Sequence, residues 1–308
     1  MNKKLSGGVW SAAPTPLTAT RSLDRTAIRR LAEHQLKLGI NGVFIGGTCG
    51  EGPWLTDAMR RELAAETVAA VSGRIPVAVQ VTDNSAARIL DNINRLADTG
   101  VDIAVMAPPF FQENPTPEYL QDLYLDVIEG SPLPIGIYHR GKYSAVPVTA
   151  ATVAAVARHE KVVMIKDSAA AEEDRNTFLA AKRRRPELLL LNGNEFDCIP
   201  ALTAGYDGLL LGGASFTGGI ARKLYRLVQN GETAAAQKVQ QQMNQLMFAV
   251  FGGEEITCWL AGQKQMMVEL GVFSTPETII NYRLTPECAA SIRSVLRDYR
   301  SELLPDQN

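Results

Sequence analysis

The chain has 308 residues, 46% hydrophobic and 21% charged, enough apolar content for one large core or for a barrel with an appendage. Its 31 basic and 33 acidic residues leave a formal net charge of −2, with no basic surplus to suggest nucleic acid and no acidic block to suggest a disordered tail. No apolar run reaches bilayer length, no apolar stretch follows the polar, basic residues 1–8, and the cysteines Cys49, Cys198, Cys258 and Cys288 form no C-x-x-C pair; the expectation is a reduced, cytoplasmic protein that engages neither membrane nor nucleic acid.

Short β-rich runs then alternate with longer helical patterns. Residues 9–13 predict a first strand, ended by Pro14 and Pro16, and 23–38 a helix that stops at Gly39. Residues 42–45 predict a strand and 56–71 a helix, with Thr56 as its cap and Gly73 beyond its end. The pattern repeats as strand 76–81 and helix 85–98, strand 102–107 and helix 117–129, strand 134–139 and helix 149–158. It continues as strand 162–166 and helix 172–184, strand 188–191 and helix 196–204, strand 208–211 and helix 219–229.

Eight strand–helix pairs in about 230 residues, with strands apolar on both faces, match a TIM (β/α)8 barrel in order and size. A doubly wound open sheet would normally use fewer strands and a G-x-G-x-x-G turn after the first. The turn Gly46, Gly47, Thr48, Cys49, Gly50 follows the second strand instead and lacks that spacing. Beyond Gly231 only helices are predicted, over 232–250, 254–270 and 286–303. The expected organisation is a barrel over 1–230, its active site at the strand C-terminal ends, followed by a three-helix C-terminal appendage over 231–308.

In such a barrel the chemistry sits where strands end. Lys166 closes the apolar run Val162, Val163, Met164, Ile165. An amine against apolar walls loses hydration, which favours the neutral, nucleophilic form, and a neutral amine condenses with a ketone to an iminium, an electron sink. Taken alone, a strand-end lysine is a solvated cation; what changes the balance is Tyr138, which ends the neighbouring strand and offers a phenol to move protons. A tyrosine at a barrel rim with its hydroxyl in water is the plainer alternative. The glycine-rich turn presents backbone N–H groups and the Thr48 hydroxyl to a carboxylate, although tight turns need glycine in any case. His34, His139 and His159 make no ligand-type pair, so no metal is expected, and neither a G-x-S-x-G elbow nor a P-loop is present. The basic run Arg183, Arg184, Arg185 reads as a solvated helix end.

Taken together these motifs resemble the dihydrodipicolinate synthase / N-acetylneuraminate lyase family over the whole chain. Gly47-Thr48-Cys49-Gly50-Glu51 is similar to the family's G-T-T-G-E pyruvate-carboxylate loop, Tyr138 falls on its catalytic tyrosine, Lys166 on its Schiff-base lysine, and Gly193 on the glycine turn beside bound pyruvate. The resemblance implies a class I lyase that needs no cofactor beyond the lysine Schiff base, takes a small 2-oxo acid, and forms a homo-oligomer, dimer or tetramer. The catalytic set it implies is Lys166, Tyr138 and Thr48, with Gly47, Cys49 and Gly193 binding the pyruvate portion. Departures are equally specific. The synthases carry an arginine five residues after the tyrosine, where this chain has Tyr143, with Arg140 and Lys142 nearby but out of register. Their Pro-Tyr-Tyr segment is Pro109-Phe110-Phe111 here, and Cys49 replaces the loop's second threonine. These departures favour a 2-keto-3-deoxy sugar acid aldolase or dehydratase, whose substrate hydroxyls His139, Asn194, Ser215 and Ser168 are positioned by strand-end location to meet. A dihydrodipicolinate synthase with a relocated arginine and a non-catalytic 2-oxo-acid-binding protein are the rival readings.

Overall fold

Asp24, Thr56, Ser85, Thr116 and Thr149 each turn a side-chain oxygen onto the N–H three residues ahead. Each cap satisfies an orphan donor and starts one of the helices between the strands. In the computed structural model, which describes residues 5–304, these helices wrap a closed barrel of eight parallel strands in chain order. The strands are β1 (Gly8–Ala12), β2 (Gly42–Ile45), β3 (Val77–Gln80), β4 (Ile103–Met106), β5 (Ile135–His139), β6 (Val162–Asp167), β7 (Leu189–Asn192) and β8 (Gly208–Leu211). The helices are α1 (Arg25–Lys37), α2 (Asp57–Val71), α3 (Ala86–Asn94), α4 (Pro117–Gly130), α5 (Ala150–Val156), α6 (Glu172–Arg184), α7 (Ile199–Ala204) and α8 (Ala214–Gln229). The first four residues of the basic N-terminal stretch, and the end of the predicted C-terminal segment at 305–308, lie outside the described residues.

Strand period divides the core in two. Trp10, Phe44, Ala78, Val105, Met164, Leu191 and Leu210 fill the barrel interior. Val43, Val79, Ile137, Ile165, Leu190 and Leu209 face outward and pack under the helices. Both faces are dry, which is why the strands read as continuous apolar runs.

One shift from the sequence reading is at α8, which begins five residues before the predicted 219. The pair Gly218 and Gly219 resembles a helix stop, but a Cβ on Gly218 would lie 2.7 Å from Ile40 Cδ1. Glycine is there for close packing against the α1–β2 connection, and the helix runs through it. The C-terminal helices are α9 (Thr233–Phe251), α10 (Trp259–Glu269), α11 (Pro286–Asp298) and the single turn α12 (Arg300–Leu303), so the third predicted run is divided at Tyr299. Among the described residues no helix is long and apolar enough to cross a membrane.

Candidate active site

Lys166 continues the inward-facing series through Met164, and Tyr138 stands directly opposite it in the β5–β6 register. The Lys166 Nζ lies 4.1 Å from the centroid of the Tyr138 ring and 5.4 Å from that of Phe44. Both residues are buried, Lys166 at 6% and Tyr138 at 7% exposure. Burial by itself raises the Tyr138 phenol, but the Lys166 charge, the Arg140 guanidinium and a hydrogen bond with the Thr48 hydroxyl outweigh it and hold the phenol below its ordinary value. A phenol, an amine and a threonine hydroxyl thus converge at the C-terminal mouth of the barrel.

The β2–α2 loop forms the facing wall. Among the described residues the N–H groups of Thr48 and Cys49 donate to no backbone carbonyl. Cys49 lies under Gly212, where an added Cβ would meet its Sγ at 2.7 Å. Burial first, and the Glu195 carboxylate second, push the Cys49 thiol up to about 12, so it stays protonated. Glu51 leaves the loop in the left-handed region, φ 59°, with its carboxylate turned away from the cavity. It pairs with Lys264 of α10 and accepts the Ile279 N–H at 2.6 Å, and both Glu51 and Lys264 are fully buried.

The structure brings Lys166, Tyr138, Thr48, Gly47, Cys49 and Gly193 to one place. A Cβ on Gly193 would lie 2.8 Å from Lys166 Cε and 2.0 Å from Ser168 Oγ, so only glycine lets the chain leave β7 beside the amine. Three of the expected substrate contacts are placed elsewhere. His139 is one residue beyond inward-facing Tyr138 and points to the outside of the barrel, where Nε2 meets Asp174 Oδ2 at 2.7 Å and the ring packs on Phe178. Asn194 is drawn outward by the Asn192 amide, which donates to its carbonyl and accepts its N–H, and it lines an outer crevice with Asp167 and Arg175. Ser215 falls in the first turn of the early-starting α8, fully buried, with its hydroxyl on the Gly212 carbonyl and accepting from Gln263.

Sequence reasoning assigned no role to Glu195. Its carboxylate accepts the Gly213 N–H at 2.6 Å beside Cys49 and Lys166, and burial raises it above the usual range against the pull of that N–H and of Lys166. The only signal for it is an acid three residues past the end of β7. Gln80 is also missed: it follows inward-facing Ala78 on β3 and reaches the same mouth. A cavity of about 340 Å³ opens there, lined by Thr48, Gln80, Phe110, Tyr138, Arg140 and Ser144. Tyr143, five residues after Tyr138, is 55% exposed and lines no part of it, whereas Arg140 does. Among the described residues no group of three or more His, Cys, Asp or Glu side chains is arranged to hold a metal ion.

A sequence profile described as the dihydrodipicolinate synthetase family matches residues 5–280. The chain is 28% identical over 251 residues to a 4-hydroxy-tetrahydrodipicolinate synthase of Gluconacetobacter diazotrophicus, covering 82% of this chain and 84% of that protein. It is 32% identical over 229 residues to one from Xylella fastidiosa, 74% of each. The structure of dihydrodipicolinate synthase from Bacteroides thetaiotaomicron superposes with a TM-score of 0.87 at 26% identity, covering 97% of this chain and all of that one.

Proposed function

The chain belongs to the dihydrodipicolinate synthetase family of lyases, and within it we propose a Schiff-base enzyme that cleaves or dehydrates a 2-keto-3-deoxy sugar acid. The observation that carries the reading is the buried Lys166 amine held 4.1 Å from the Tyr138 ring inside the barrel mouth. The Thr48 and Cys49 N–H groups receive the substrate carboxylate. Lys166 attacks C2, the carbinolamine loses water, and Tyr138 carries the protons with Thr48 at its hydroxyl. Cleavage of C3–C4 sends the electron pair into the iminium as an enamine, releases an aldehyde, and leaves pyruvate after protonation at C3 and hydrolysis. Removal of a C3 proton with departure of the C4 hydroxyl gives the dehydratase outcome from the same iminium.

A second reading, condensation of pyruvate with aspartate semialdehyde, draws support from the names of the relatives. Exposure of Tyr143 at the position that resembles the synthases' arginine weighs against it. Intact mass after sodium borohydride with pyruvate tests the shared chemistry: one reduced pyruvate adduct is expected on the parent protein, none on Lys166→Ala. Stoichiometric adduct on Lys166→Ala would show that the nucleophile is another residue. Turnover of a 2-keto-3-deoxy sugar acid in preference to aspartate semialdehyde separates the two readings.

A further inference from the structure

All four cysteines are free thiols, and two of them, far apart in sequence, meet among the C-terminal helices. Cys258 is the N-cap of α10, and Cys288 lies in the first turn of α11, whose N-cap is Thr285. Thr285 joins them. Its N–H donates to the Cys258 sulfur at 3.5 Å, its hydroxyl oxygen lies 3.9 Å from that sulfur, and the same oxygen accepts the Cys288 N–H at 3.2 Å. The Cys288 thiol lies within hydrogen-bond reach of the Cys258 sulfur and 3.3 Å from the Val250 carbonyl. The two sulfurs are chemically unlike. Burial raises the Cys258 thiol, but the Thr285 N–H, the Cys288 thiol and the hydroxyls of Thr285 and Thr257 outweigh it and hold it below its ordinary value. Burial first, and Cys258 second, push the Cys288 thiol up to about 12. The turn leading into Cys258 is strained: Gly252, Gly253 and Ile256 take φ 86°, 95° and 53°. A β-branched residue in the left-handed region is an outlier that its surroundings must hold in place. Both thiols are buried, but Gly253, Glu254, Glu255 and Thr257 are exposed and a Cβ on Gly253 would meet nothing within 4 Å, so the cover over them is one thin turn.

A thiolate held by several donors at a helix N-terminus, beside a second thiol that keeps its proton, is the arrangement of an attacking and a resolving cysteine. We infer that Cys258 and Cys288 form a reversible oxidation site that takes a peroxide and closes to a disulfide. The Cys258 thiolate attacks hydrogen peroxide, an S–O bond forms, the O–O bond breaks, and hydroxide leaves with the proton that Cys258 gave up, as water. The Cys288 sulfur then attacks the Cys258 sulfur, an S–S bond forms, the S–O bond breaks, and the Cys288 proton departs with the hydroxyl as a second water. Two thiols lose two electrons and one peroxide is reduced to two waters. No residue of the reaction at Lys166 takes part. The consequence reaches the barrel through α10. Bonded sulfurs sit closer than hydrogen-bonded ones, so the disulfide draws the start of α10 toward α11. Gln263 and Lys264, on the next turns of α10, brace the Gly212 carbonyl and Glu51 of the β2–α2 loop. Oxidation therefore loosens that loop.

The test treats the full chain with hydrogen peroxide and reads intact mass, non-reducing peptide maps and hydrogen exchange. The parent should lose the mass of two hydrogens, show a cross-link between the Cys258 and Cys288 peptides, and return to its starting mass with dithiothreitol. Cys288→Ser should gain one oxygen at Cys258, captured by dimedone as a sulfenic acid, with no cross-link. Cys258→Ser should do neither. Limiting iodoacetamide on the untreated parent gives a readout that needs no variant to fold: Cys258 should be alkylated about tenfold or more ahead of Cys288. Amides of the β2–α2 loop should exchange several-fold faster in the oxidised protein and recover on reduction. An unchanged mass, a cross-link through Cys49 or Cys198, or equal alkylation of Cys258 and Cys288 overturns the site. A Cys258–Cys288 cross-link that leaves loop exchange unchanged overturns its coupling to the barrel.

Discussion

His34, in the last turn of α1, is 7% exposed, with Nε2–H donating to the Ser215 carbonyl of α8 at 3.1 Å. Burial, outweighing that hydrogen bond, lowers the imidazole to about 4. Between about 4 and 6.5 the unfolded chain binds a proton at His34 that the folded chain refuses, so stability rises with pH through that window and is lost on acidification. His34 should account for about 3 kcal/mol of stability lost between pH 7 and pH 4. Urea denaturation across that range should give a flatter profile for His34→Gln; an unchanged slope would mean the ring takes up its proton without opening the helix contact. The residue scale is also where strand period decides which readings hold. Lys166 and Tyr138 could be paired from sequence because each is the last inward-facing residue of a strand whose inward set was legible. His139 and Asn194 could not be placed, since one step along a strand reverses the face and a side-chain clamp such as that of Asn192 leaves no pattern.

At the scale of elements, the β2–α2 loop owes its shape to a partner 213 residues away in sequence. The Glu51–Lys264 pair is wholly buried, and removing one member strands a charge, at a cost of about 3–5 kcal/mol. Lys264→Met should therefore lose roughly that much in chemical denaturation, whereas Glu51→Gln combined with Lys264→Met should recover most of it. A single variant as stable as the parent would show that the loop relaxes to hydrate Glu51. The sequence marked the loop by its glycines and gave no hint of the lysine, because a contact between two distant elements has no local periodicity. The same limit explains α8: local glycine signals place its start near 219, and the packing of Gly218 on Ile40 overrides them.

At the scale of the molecule, the C-terminal helices bear on the mouth of the barrel. Lys264 holds Glu51, Gln263 donates to the Gly212 carbonyl at 2.7 Å, and Gln240 of α9 accepts the Cys198 N–H at 2.9 Å and donates to the Glu195 carbonyl at 3.0 Å. Residues 1–230 expressed alone should give no cooperative thermal transition and no borohydride adduct with pyruvate, since the truncation leaves Glu51 unpaired and the faces of α8 bare. A folded, pyruvate-trapping barrel would show the helices to be dispensable. By itself the sequence determined the eightfold alternation, the parallel barrel and the amine, phenol and glycine turn at its mouth. Those are properties of period, capping and strand ends, which are local in the chain. Only the tertiary structure decided that Glu195, Gln80 and Arg140 join that site while His139, Asn194 and Ser215 leave it. Closure of the barrel and the docking of α10 fix side-chain direction through contacts between residues that the sequence keeps far apart.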